Sequence, residues 1–205
     1  MKSGTNIEGT VVEFKGTNSV VIRSAKDEKL YTVKISMLTE DDQRRLDTDA
    51  SRPPITGAFG LALGQKFDPR SAASSEKMGA SVQYGFKPTV PLPSFSKYYL
   101  ELTPRSSRIW RIAAMGIFES DGEERAQQVR EKTIVALWEK YGRPVHEVDV
   151  DERRTEITET DRFTKGDREV SVTYTSAVGR AFVHLVYRDK SLDKQALQEA
   201  SELGN

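Results

Sequence analysis

The strongest constraint on the fold is a series of three short β-rich segments near the C-terminus, separated by turns of only a few residues. The segments are 155–163, 169–175 and 181–187, and the turns between them contain Gly166 and Gly179. Connections this short join antiparallel neighbours. The C-terminal part of the chain therefore predicts an antiparallel arrangement of three strands.

Two earlier strands and two helices complete the pattern of this half. Segments 98–103 and 108–115 read as strands. Ser120 and Glu123 have the spacing of a capping box, and the following helix is stopped by Gly142. A last helix is expected from Ser191 to Gly204. The order ββ-α-βββ-α predicts an α+β fold, with an antiparallel sheet and helices packed on one face.

The N-terminal part begins with three β-rich bursts at 9–14, 19–23 and 30–36, separated by short polar connections. In the third burst, apolar and polar residues alternate, which gives one apolar face. Thr39 then stands where its hydroxyl can accept from the backbone N–H of Asp42, and acidic residues fill the first helical turn. The pattern predicts a three-stranded meander that runs into a capped helix.

The segment VKISMLTEDDQRRL at the end of this meander is the motif of a family resemblance that covers residues 7–46. It resembles the first SLA homology domain of a fungal endocytic adaptor, although Thr39 stands where serine is usual. The resemblance implies a small SH3-like β-barrel at residues 5–48 and a module that recognises short linear peptides. Residues 49–57, which are polar and contain two prolines, suit a linker. An α+β domain of unknown function would then occupy 58–205.

The second half is also similar to an uncharacterised bacterial α+β domain. The matching words are FGLALGQ, YYLELTPRSSRIWRIAAMGIF, YGRP and LVYRDKSL. This resemblance spans most of residues 59–205 and implies an architecture without an activity.

Composition narrows the classes of partner. Lys and Arg total 31, as do Asp and Glu, so no net charge attracts nucleic acid or an anionic membrane. The chain has no cysteine, which removes disulfides and thiolate chemistry. No apolar run is long enough for a membrane span or a signal peptide. Localisation stays open, because an exported protein whose leader was removed would look the same.

Residues that could carry catalysis or bind metal are few. The only histidines are His146 and His184, without a Cys or His ligand set, and no Gly-x-Ser-x-Gly or phosphate-binding glycine loop is present. Both histidines are expected to have structural or surface roles. Two acidic runs offer a cation site as an alternative, but a helix start and a strand with one charged face account for them. These runs are Glu119, Asp121, Glu123 and Glu124, and residues 147–152.

Basic and aromatic residues also lie close together along the chain and could stack nucleic-acid bases. They are Arg105, Arg108, Arg111, Arg153 and Arg154, with Trp110, Tyr98 and Tyr99. Alternation along the strand supplies one aromatic side chain rather than a platform, so a packed Trp110 is the expected outcome, as it is for Trp138. The proline segment 87–93 is expected to brace the chain internally, with partner recognition as the alternative.

The sequence therefore favours a non-enzymatic binding or scaffold protein that engages a peptide or protein partner through the small barrel or the larger sheet. It assigns no catalytic, cofactor-binding or metal-binding residue. The partner-binding residues and the oligomeric state are unknown from the sequence. The alternatives are an enzyme with a carboxylate and arginine site and a small-barrel protein that binds nucleic acid.

Overall fold

Strands dominate the computed structural model of the chain, which describes residues 8–15, 19–47, 52–79, 81–119, 122–151, 156–177 and 179–203. The helices in these ranges are α1 Glu40–Asp47, α2 Glu123–Tyr141 and α3 Lys190–Leu203. The strands are β1 Gly9–Lys15, β2 Ser19–Ser24, β3 Leu30–Lys34, β4 Gly57–Ala58, β5 Leu61–Ala62, β6 Ser74–Met78, β7 Ser81–Gly85, β8 Lys97–Leu102, β9 Ile109–Glu119, β10 Val145–Asp151, β11 Glu156–Lys165, β12 Arg168–Ala177 and β13 Arg180–Asp189.

An eight-stranded antiparallel sheet in the order β10-β11-β12-β13-β9-β8-β7-β6 is the centre of the molecule. Burial alternates along β13, where Val183 and Leu185 are buried and His184 between them is partly exposed. The buried side chains face α2, which contacts β9, β11, β12 and β13. The predicted meander near the C-terminus is confirmed, with its three strands extended at their ends.

The predicted α+β fold, with an SH3-like barrel before a sheet whose helices pack on one face, is wrong. The structure is mainly β, and its helices do not form a layer: α2 lies along the central strands, while α3 continues directly from β13 and contacts β9 and β13. The described N-terminal strands form an open sheet in the order β1-β2-β3. The extra strands include the edge strand β6, whose residues are all exposed and therefore lack the burial pattern from which strands are predicted. The acidic run from residue 147 lies in β10, as the strand interpretation of that run predicted, and every β10 residue is exposed.

The N-terminal meander itself is confirmed, although β3 ends two residues early in a 3-10 turn at Ile35–Met37. The Asp42 N–H donates to Thr39 Oγ1 at 3.1 Å, as the sequence predicts for the start of α1. Val20, Ile22 and Ile35 belong to the same buried cluster as the apolar residues of the large sheet. The two parts of the chain therefore share core contacts.

Residues of the predicted linker also contact the sheet. Ile55 is buried, and its carbonyl oxygen accepts from Arg168 Nη1 at 3.0 Å. The Arg52 carbonyl oxygen accepts from Lys165 Nζ at 3.1 Å. The division at 5–48, 49–57 and 58–205 stays a prediction, while these bonds attach the described part of segment 49–57 to β11 and β12.

The start of α2 uses different contacts from those predicted. Ser120 lies outside the described residues, Gly122 occupies the N-cap, and the Glu123 carboxylate accepts from the hydroxyls of Tyr174 at 2.9 Å and Ser176 at 3.1 Å. Glu123 thus binds the sheet. At the other end Gly142, with φ of 98°, ends the helix as predicted, because only glycine adopts this conformation without strain.

Candidate functional site

The structure keeps the two histidines apart. His146 lies in the edge strand β10, and His184 lies in β13, with β11 and β12 between them in the sheet. Each histidine must therefore be considered with its own surroundings. A third region, next to α3, contains no histidine but has a cavity of about 670 Å³.

A polar cavity of about 420 Å³, which we call the His146 pocket, lies between the C-terminal half of α2 and the strands β10 and β11. Its lining residues are Arg130, Trp138, Arg143, Pro144, His146, Glu159 and Asp161. Two features of the fold bring them together. The register pairs His146 with Asp161 across β10 and β11, and α2 places Arg130 beside the same strands.

A buried carboxylate links the side chains of this pocket. The Asp161 side chain is only 1% exposed; its Oδ1 lies 3.0 Å from His146 Nδ1, and its Oδ2 lies 2.5 Å from Arg130 Nη2. Arg130 Nη1 bonds Glu159 Oε2 at 2.5 Å. A carboxylate that accepts from Nδ1–H fixes the histidine tautomer and leaves Nε2 as the free lone pair. The His146 side chain is 47% exposed.

Asp161, Glu159 and Arg130 are not among the site residues that the sequence indicates. Their proximity depends on strand register and on the placement of α2, neither of which is written in local spacing. The signal that was available lay in β10, where alternation puts His146 on the face of Val148 and Val150. Across the strand pair, the same face of the sheet contains Asp161 of β11, which lies opposite His146.

A larger and mostly apolar cavity of about 670 Å³, which we call the α3 groove, lies between α3 and the strands β6 to β9. Its lining includes Met78, Val82, Tyr84, Leu102, Trp110, Ala196, Leu197, Ala200 and Leu203. The α3 side chains recur every three or four residues, so one stripe of the helix faces the groove. Leu197 and Leu203 remain 65% and 60% exposed. Large apolar side chains grouped around a concave surface are typical of interaction sites.

The charged residues that line the α3 groove have partners of opposite charge. The buried Glu101 accepts from Arg111 Nη1 at 2.6 Å and from Gln83 Nε2 at 3.3 Å. Asp193 forms an ion pair with Arg188. Because these carboxylates are neutralised within the protein, the groove offers apolar contact rather than a charged site.

The two tryptophans behave differently. Trp138 is 1% exposed, so its expected packing role is confirmed. Trp110 is only partly buried. It lines both the α3 groove and the cavity that contains His184. A bulge between Glu101 and Leu102 disturbs the register at this point. That irregularity explains why simple alternation did not predict the position of Trp110.

His184 lines a cavity on one sheet face together with Arg111, Arg162 and Arg188. Burial and the nearby positive charge of Arg111 lower its pKa, so the neutral imidazole is favoured. The arginines form ion pairs across the face: Arg111 with Glu101, Arg162 with Glu147, and Arg188 with Glu169. They do not form an unpaired basic surface of the kind that attracts a polyanion.

The remaining residues singled out in the sequence have other contacts. Glu119 pairs with Arg180, Arg105 binds Glu199 and Glu202, and Arg108 Nη1 donates to the Gly64 carbonyl oxygen. Asp121, Arg153 and Arg154 lie outside the described residues. Within the described ranges, no three His, Cys, Asp or Glu side chains are grouped so that they could hold a metal ion.

The proline segment is held by Tyr98. The Leu92 N–H donates to Tyr98 Oη at 2.9 Å, and that hydroxyl donates to the Leu92 carbonyl oxygen at 3.2 Å. Internal bracing, the expected role of residues 87–93, is confirmed.

No helix in the described part of the chain has the length and apolar character needed to cross a membrane.

No protein-family model matches the sequence, and no curated protein matches it. The resemblances to the SLA homology domain and to a bacterial α+β domain therefore stay predictions.

Proposed function

We propose that the protein is a binding protein whose α3 groove holds an extended, apolar segment of a partner protein. One observation carries the proposal: Leu197 and Leu203 stay largely exposed beside a concave apolar surface of about 670 Å³. Filling the groove would remove these side chains and Trp110 from water, which favours association in proportion to the apolar area buried.

The neighbouring sheet edge supports an extended peptide as the occupant. β6 is the terminal strand of the sheet, and each of its residues is exposed. An added strand could bond the free backbone groups of β6, while alternate side chains enter the groove beside Met78. In this proposal the partner binds the large sheet rather than the N-terminal meander, to which the SLA resemblance would assign peptide binding.

The test begins with a phage-displayed peptide library selected on the full chain. A selected peptide is then titrated while fluorescence is recorded. The protein has only two tryptophans, and the buried Trp138 supplies a constant background to the signal from Trp110. We expect saturable binding with a blue shift of the Trp110 emission, because the peptide replaces water around its indole.

Variants locate the binding site. Leu203→Glu and Leu197→Glu should each weaken binding at least about tenfold, because a carboxylate would be buried against the peptide. Leu30→Glu is the matched control: Leu30 in β3 is also 60% exposed, and it lies in the meander. The proposal is overturned if no peptide binds saturably, or if Leu30→Glu abolishes binding while the α3 variants bind normally.

Strand addition has its own readout. Methylation of alternate backbone nitrogens in the selected peptide should reduce affinity in one register and not in the other, because only alternate N–H groups face β6. If neither methylated series loses affinity, the partner does not bind as an added strand.

A further inference from the structure

We propose that the His146 pocket is a proton-transfer site for a small molecule that carries an anionic group, with His146 Nε2 as the proton acceptor. The site is separate from the α3 groove, since no residue lines both cavities. Three features support it: an oriented histidine, a buried carboxylate behind it, and an arginine available at the rim.

The first feature is the geometry of His146 and Asp161. The buried Asp161 carboxylate lies 3.0 Å from Nδ1, closer than Arg130 Nη2 at 3.4 Å, and because an ionised carboxylate can only accept, Nδ1 is assigned the proton; about half of the imidazole is exposed. Because Nδ1 holds the proton of the neutral ring, Nε2 is unprotonated. When Nε2 accepts a proton, the Asp161 carboxylate lies next to the positive charge of the imidazolium. Asp161 is thus a positioning residue, and His146 is the group that would touch the bound molecule.

The second feature is that the Arg130 ion pairs do not require His146. Arg130 already joins α2 to β11 through both Glu159 and Asp161, at 2.5 Å each. These two ion pairs are much shorter than the contact of Arg130 Nη2 with His146 Nδ1, at 3.4 Å, so they can hold α2 to β11 without the histidine. The histidine adds a reactive nitrogen to the same carboxylate and presents it in a cavity large enough for a small ligand, since such sites begin near about 300 Å³.

The third feature is charge. Arg130 is shared between two carboxylates, whereas Arg143, which is exposed and lines the pocket, belongs to none of the ion pairs among the described residues. Arg143 can therefore bind a carboxylate or phosphate group of the ligand through its planar guanidinium. Trp138 and Pro144 supply the apolar walls of the pocket.

The proton transfer needs no further reactant. An O–H or N–H bond of the bound molecule breaks, its proton joins Nε2, and the electron pair stays on the oxygen or nitrogen. The imidazolium then lies against Asp161, and return of the proton to the product restores the neutral ring. The reaction class is thus acid and base chemistry on a small anion, without a covalent enzyme intermediate.

Reactivity of His146 is measured with diethyl pyrocarbonate on the full chain, with mass spectrometry to assign each modified histidine. Nε2 attacks a carbonyl carbon and monoethyl carbonate leaves, while the Nδ1 proton is lost. We expect His146 to react several-fold faster than N-acetylhistidine, and His184→Gln to leave that rate unchanged. A rate equal to that of N-acetylhistidine would overturn the proposal.

Matched variants separate orientation from structure. Asp161→Asn should remove the excess reactivity of His146, whereas Glu169→Gln, which removes another buried carboxylate that pairs with an arginine outside the pocket, should keep it. Equal loss in both variants would show a merely structural role and overturn the proposal. If Asp161→Asn fails to fold, ¹⁵N NMR of the unmodified protein still decides, because the neutral His146 ring must carry its proton on Nδ1.

Inorganic phosphate probes the anion. We expect millimolar phosphate to protect His146 from modification in the wild type and in Glu169→Gln, and to give no protection in Arg143→Gln. Absence of protection in the wild type would overturn the anionic ligand class. The peptide titration at the α3 groove uses a different signal, so either proposal can fail without the other.

Discussion

Arg168 and Asp189 face each other across β12 and β13, and Arg168 Nε donates to Asp189 Oδ2 at 3.0 Å. The same carboxylate accepts from the N–H groups of Ser191 and Leu192, each at 3.1 Å, at the start of α3. Through Nη1, Arg168 also reaches the carbonyl of Ile55. One guanidinium therefore connects the predicted linker, the sheet and α3.

Loss of that guanidinium should destabilise the protein. Arg168→Gln leaves the mostly buried Asp189 without its cation, so we expect the free energy of unfolding to fall by about 2 kcal/mol, less than for a fully buried pair because Arg168 is partly exposed. Urea unfolding measures the change. Arg180→Gln, which breaks the exposed pair with Glu119, is the control and should cost less than about 0.5 kcal/mol. Equal losses would contradict this role of Arg168.

His184 should make stability depend on pH. Its pKa in the folded protein lies below the ordinary 6.5, because of burial and then Arg111. As pH falls below about 6.5, the unfolded chain binds a proton that the folded protein does not, so the folded state loses stability until its own lower pKa is reached. We expect urea unfolding between about pH 5 and 7 to show a slope that is smaller in His184→Gln. A slope unchanged in this variant would refute the assignment.

Gly116 is in close contact with a neighbouring segment. A Cβ at this position of β9 would lie 2.7 Å from the Ser94 carbonyl oxygen and 3.0 Å from the Phe118 ring. Gly116→Ala should therefore lower the free energy of unfolding by about 1 to 3 kcal/mol, because a packed backbone has to shift. Thermal unfolding checks this expectation. An unchanged or raised melting temperature would mean that the segment around Ser94 moves freely.

The Tyr98 hydroxyl should contribute to the hold on the proline segment. Tyr98→Phe removes both bonds to Leu92, and we expect a loss of about 1 kcal/mol in the free energy of unfolding, together with faster proteolysis between residues 87 and 93. Tyr31→Phe removes a hydroxyl bond to Asp27 at the exposed end of the meander and serves as the control. If the wild type, Tyr98→Phe and Tyr31→Phe are all cleaved at the same rate, the Tyr98 hydroxyl does not brace the segment.

Several strands that the sequence predicts have one buried face, whereas β3, which is also predicted, has nearly all of its residues exposed. In β13, alternation is visible from the residues alone, and the structure buries Val183 and Leu185 as that pattern requires. The stop of α2 at Gly142 is equally local, since it depends on the conformational freedom of one residue. Such features are encoded within a few positions of the chain.

The candidate sites were much less accessible to sequence analysis. His146 was visible, but Asp161 and Arg130 come to it from another strand and from a helix. Ala196, Leu197, Ala200 and Leu203 fall on one side of α3, yet only the position of α3 against the sheet leaves the two leucines exposed beside a groove.

The sequence by itself determined the local elements, the lack of cysteine chemistry and the balance of charge. The tertiary structure decided that the fold is mainly β, that β6 and β10 end an eight-stranded sheet, and which side chains share a cavity. The physical reason is the range of the interactions. Periodicity and capping act within a few residues, whereas edge-strand pairing, register and buried ion pairs depend on contacts between segments far apart in the chain.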